Sequence, residues 1–87
     1  MPKVKWKKTT VTTDTRYWQK GQKAVVAYYN NSFYYIIEKN SSFDSKKYYI
    51  TVVQRLNPAA NQKEFYYDRT FNSFTAGQNY YEVYVFK

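Results

Sequence analysis

The sequence predicts an all-β domain: a small antiparallel barrel or sandwich of six to seven short strands, in meander or Greek-key order, with at most one short helical turn. Three observations predict it. The apolar residues are the wrong kind for helices: eight valines and three isoleucines stand against the single Leu56, beside twelve tyrosines, six phenylalanines and two tryptophans. β-branched and aromatic residues suit strands, and good helix formers are scarce. Apolar and polar residues alternate with period two over short runs, and turn chemistry separates the runs. Finally, the 87 residues make one domain, 1–87, too short for a large core and with no cysteine to staple it.

The elements follow in order. A first strand is expected from Lys3 to Thr12, with Val4 and Trp6 on one face and Lys3, Lys5 and Lys7 on the other. Residues 13–21 read either as a short helix capped by Asp14 and ended by Gly21, or as a hairpin with Gly21 at positive φ. Tyr17 and Trp18 favour the hairpin. The second strand runs from Gln22 to Tyr29, and Asn30-Asn31-Ser32 turns the chain, since Asn tolerates left-handed backbone. The third strand is Phe33–Lys39 and the fourth, the longest, Lys46–Leu56. Pro58 ends it, and Asn57 could cap a helical turn over residues 57–61. The fifth strand is Gln62–Phe71; a turn around Gly77 leads to the last, Asn79–Phe86.

Five Tyr-Tyr pairs punctuate these strands, each sending a phenol to both faces. The second and third strands are apolar on both faces, so the sheet must close on itself or be covered twice. In the fourth strand Tyr48, Ile50, Val52 and Leu56 form a core set, while Lys47, Tyr49, Thr51, Val53 and Arg55 form a mixed basic and aromatic face. In the last, Tyr81, Val83 and Val85 are expected inside, with Tyr80, Tyr84 and Phe86 outside around Glu82. About half of the tyrosines should reach solvent or an interface, because each buried hydroxyl needs a partner.

Catalysis is hard to build here. There is no histidine and no cysteine, and two glycines cannot make a phosphate-binding loop. Glu64 and Asp68 lie about 13 Å apart along one strand, too far for a glycosidase pair. The expectation is no enzyme, no cofactor and no metal. No apolar leader region and no stretch of membrane-spanning length are seen, so a cytoplasmic protein without a membrane partner is expected.

Charge is the positive signal. The net charge is +8, and the excess sits in the N-terminal half. Lys3, Lys5, Lys7 and Lys8 surround Trp6; Arg16 and Lys20 flank Trp18; Lys47 and Arg55 flank Tyr49. Cations interleaved with aromatics fit a single strand of DNA or RNA, held through phosphates and stacked bases with little sequence preference. The alternative is a protein-binding module or inhibitor of the kind viruses and plasmids encode. It would dock an acidic protein, or a second copy of itself, through the interface residues Tyr80, Tyr84 and Phe86. Lys20, Lys23, Lys46 and Lys47 also have a plainer use, guarding apolar segments against edge pairing.

Without histidine, almost nothing titrates between about pH 5.5 and 8.5. Affinity for a ligand that does not itself titrate should therefore stay within about twofold between pH 6 and 8. A titration series at fixed salt checks this, and a tenfold change contradicts it.

Overall fold

The computed structural model describes residues 4–57 and 62–86, with the side chains of 56, 57, 62 and 63 excepted. Lys3, the expected turn at 58–61 and the Leu56 side chain lie outside the described residues. Five antiparallel strands form one sheet in sequence order: β1 (Lys7–Thr10), β2 (Lys23–Tyr29), β3 (Ser32–Asn40), β4 (Lys47–Asn57) and β5 (Gln62–Phe71). One helix follows, α1 (Phe74–Tyr84). The chain is thus mostly β and antiparallel, as the composition predicts. The barrel or sandwich is not what forms: the sheet is single and open, and β1 and β5 are its two edges.

The strand boundaries follow local chemistry. Asn30 and Asn31 both have positive φ, 50° and 63°, the pattern of a two-residue type I′ hairpin that matches strand twist. That turn fixes the register, with Tyr29 opposite Ser32 and Tyr28 opposite Phe33. β1 is shorter than expected. Instead of a simple hairpin, the segment after it folds back on itself. The Thr15 hydroxyl accepts the backbone N–H groups of Tyr17 and Trp18, the Trp18 indole donates to the Thr13 carbonyl at 2.9 Å, and Asp14 accepts the Lys20 N–H at 2.7 Å. Gly21, at φ 97°, returns the chain to β2, as the hairpin reading required.

The expected sixth strand is a helix. Ser73 caps it, its hydroxyl accepting the Ala76 N–H at 3.0 Å. Phe74, Gly77, Tyr81 and Val85 recur at helical spacing and face the sheet, overriding the strand preference of the tyrosines and valines. The helical period scrambles the expected faces: Val83 points to solvent, whereas Phe86 is buried beyond the helix end.

Sheet register separates two layers. On the helix side, Val25, Ala27 and Ile36 pack under Tyr81 and Phe86, with Trp6 and Tyr34 around them. On the opposite, loop side, Ala24, Ile37, Ile50 and Val52 pack under Val11 and Trp18. β4, paired on both sides, is therefore buried on both faces, including Thr51 and Val53. A bulge in β5 places Asp68 and Arg69 against Thr51, whose hydroxyl is bonded to both the N–H and the carbonyl of Arg69. It also lets Asp68 accept the Tyr81 hydroxyl at 2.7 Å.

Two stability measurements test this packing. A Cβ on Gly77 would lie 2.9 Å from Ile36 Cδ1 and 3.3 Å from the Phe71 ring. For Gly77→Ala, crowding of about 1–2 kcal/mol is largely offset by about 1 kcal/mol of helix propensity. Gly77→Leu has no such offset and should cost about 2–3 kcal/mol, lowering Tm by roughly 10–20 °C; equal Tm values for the two variants would contradict the close approach. The second measurement concerns pH. Burial, the largest cause, pushes the Tyr81 phenol far above its ordinary range; the Thr51 hydroxyl pulls it back, and the Asp68 carboxylate adds to the rise. Burial also raises Tyr34 and Tyr35. The folded chain keeps these protons where the unfolded chain loses them, so stability present below about pH 10 is lost as pH rises beyond it, at up to about 1.4 kcal/mol per unit for one such group. Denaturation midpoints measured from pH 9 to 11 should fall, and less steeply in Tyr81→Phe.

Candidate nucleic-acid interface

The edge strand β1 and the residues before it carry the densest cation cluster. Lys5, Lys7 and Lys8 are all exposed. Register puts Lys7 opposite Val26 on the loop side and Lys8 opposite Val25 on the helix side. The first predicted cluster is thus split across the sheet edge. Trp6 goes with Lys8: its ring lies 5.7 Å from Phe86, and its indole N–H donates to Glu82 Oε1 at 3.0 Å.

Beside Trp6 a groove of about 730 Å³ opens between β1, β2 and the start of α1. Val25 forms part of its lining, together with Trp6, Phe74, Lys8, Lys23 and Gln78. Glu38 lies at the same groove. Its carboxylate is engaged by the Lys47 ammonium at 3.5 Å and by the Tyr49 hydroxyl at 3.2 Å. Tyr49 packs on Phe74 with ring centroids 4.6 Å apart. Burial and then Glu38 raise its phenol above the usual range. The predicted Lys47, Tyr49 and Arg55 face therefore lies on the helix side, where acids and rings already engage it. Arg55 stands opposite Glu64 and 5.5 Å from the Tyr66 ring.

The loop side is different. Trp18, expected as a stacking platform, is 4% exposed and instead forms the lid of that layer, 5.0 Å from Tyr35 and 5.3 Å from Phe65. Arg16 and Lys20 remain exposed on the covering loop, with Arg16 placed 5.6 Å from the Tyr17 ring. The lid reaches only part of the sheet. Beyond it Tyr28 is 51% exposed and Phe33 half-buried, their centroids 5.0 Å apart. Every carboxylate carried by a strand, Glu38, Glu64 and Asp68, projects to the helix side. The loop-side strand positions offer Lys7 and Lys39 with no acid among them; burial lowers the Lys39 ammonium from its usual value.

The predicted interface trio is not one surface. Tyr80 and Tyr84 are neighbours on α1 with centroids 5.2 Å apart, but Phe86 is in the core against Tyr29 and Tyr34. Tyr84 alone of the three is largely exposed, at 65%. Sequence reasoning missed Tyr28 and Phe33 as a surface pair. The Asn-Asn turn held the signal, because a two-residue loop places them directly opposite each other. It also missed Lys23, Phe74 and Gln78, which enter the groove only because α1 folds across it.

Among the described residues no group of histidine, cysteine or carboxylate side chains is placed to hold a metal ion, and no helix is long and apolar enough to cross a membrane. No protein-family model, no curated protein and no solved structure matches the chain.

The two tryptophans sit in contrasting places, which emission can check. In Trp6→Phe the remaining Trp18 should emit at short wavelength and resist acrylamide. In Trp18→Phe the remaining Trp6 should be quenched several-fold more readily. Equal quenching would contradict the placement of the 12–20 loop over the sheet.

Proposed function

We propose that this protein binds nucleic acid, single-stranded DNA or RNA, with low sequence specificity and as a cytoplasmic protein. The observation that carries the reading is the lysine-bearing edge. Lys5, Lys7 and Lys8 are exposed around one edge strand, and among the described residues the one ion pair is Lys47 with Glu38, elsewhere. Cations left without carboxylate partners keep their full attraction for phosphates, which are the main source of non-specific affinity and of its salt dependence. Tyr28, 51% exposed on the loop side, and Trp6, half-buried on the helix side, supply ring faces of the kind that unpaired bases use.

The test is anisotropy of a labelled oligonucleotide across a salt series. With about three phosphates engaged on a single strand, the log–log slope should be near −2, and each of Lys5→Ala, Lys7→Ala and Lys8→Ala should make it shallower by about 0.7. Absence of binding at about 50 mM salt would overturn the reading. A second reading, a protein partner or second copy, rests on Phe43, which is 99% exposed. The Ser41 hydroxyl accepts the Phe43 N–H and the Asp44 carboxylate accepts the Lys46 N–H, so the tip presenting this ring is ordered. Light scattering distinguishes a dimer from a monomer, and Phe43→Ser should dissolve a dimer built on that tip.

A further inference from the structure

We propose that Tyr28 and Phe33, on the sheet face turned away from α1, form a stacking site for the unpaired bases of a single strand, with Lys7 holding the adjoining phosphate. The inference rests on the nucleic-acid reading above and assigns it a face and a pair of rings.

Four observations carry it. Tyr28 and Phe33 are directly paired across β2 and β3, with centroids 5.0 Å apart at 59°. Neighbouring strands are about 4.8 Å apart, so the two rings present a step across the sheet that a splayed dinucleotide can follow. The pair is pre-organised. The Tyr28 hydroxyl donates to Asn31 Oδ1 at 3.1 Å, fixing the ring to its own turn, and Phe33 continues into Tyr35 at 6.4 Å and then Trp18. Rings already held lose little entropy when a base lands on them.

Third, the charge that the strands carry on this face has one sign. Lys7 lies opposite Val26, two residues along β2 from Tyr28 on the same face, and Lys5 precedes it on the chain. No strand carboxylate reaches this side; the acid there is Asp14 on the covering loop, whose carboxylate accepts the Lys20 N–H. Fourth, the loop that covers the rest of this face places Trp18 over Tyr35 and Phe65, leaving Tyr28 half exposed beyond it. Bases in a duplex hide their faces within the stack, whereas a single strand can turn them onto protein rings, so this arrangement selects a single strand.

The experiment compares a labelled oligothymidylate of about ten nucleotides with an abasic strand of equal length and charge, at about 50 mM salt. The thymidylate should bind at least tenfold more tightly. Tyr28→Ala and Phe33→Ala should each erase about tenfold of that advantage while leaving abasic affinity and the salt slope unchanged. Tyr28→Phe, which keeps the ring, should retain binding. Tyr28→Leu keeps an apolar side chain without the aromatic face and should behave like the alanine variant, guarding against loss of fold. Equal binding of the two strands overturns the stacking site and leaves nucleic-acid binding standing; binding of neither overturns both.

Discussion

A sheet that is apolar on both faces has to be covered twice. Ile36 and Ile37 are adjacent on β3 and both fully buried, one under Tyr81 and the other under the layer capped by Trp18. Neither face could be left to water without losing about 2–3 kcal/mol for each large side chain exposed. The chain meets the demand with unlike covers. One is a helix, held by the Tyr81 hydroxyl on Asp68 and by a glycine that allows its backbone close to Ile36. The other is a loop that satisfies its own polar groups and buries one large ring, Trp18, with Tyr17 partly buried beside it. The open aromatic pair beside that ring exists because the loop is smaller than the face it covers.

Much of this was legible in the residues. The Asn-Asn turn, the four longer strands and the double burial of the second and third strands follow from alternation, positive-φ turn chemistry and the scarcity of leucine. The helix was not legible by preference, because Tyr80-Tyr81-Glu82-Val83-Tyr84-Val85 alternates as a strand would. Its signal lay upstream, in the Ser73 cap and in the spacing of Phe74, Gly77 and Tyr81. Tertiary demand decided between the two periods: β3 and β4 were already paired on both sides, and their open faces needed covering more than the sheet edge needed a strand.

The candidate site was partly legible for the same reason. Lys5, Lys7 and Lys8 could be read as exposed from composition alone, and they are. Trp6 and Trp18 could not be separated, since both are tryptophans flanked by cations; only the fold sends one to a groove wall and the other to the core. The Lys47, Tyr49 and Arg55 alternation was real, but Glu38 and Glu64 meet it across the strands. Pairing between strands is invisible until the register is known.

The placement of Glu38, Glu64 and Asp68 on one face has a consequence that reaches beyond contact distance. Positive charge on the loop side is uncompensated by the strands, while on the helix side cations and carboxylates are interleaved, so the field around the molecule is lopsided across the thickness of the sheet. A polyanion within a Debye length, about 8–10 Å at ordinary salt, feels a torque as well as an attraction. On the proposed nucleic-acid reading, that torque would turn the lysine edge and the open aromatic face toward the strand before the two touch.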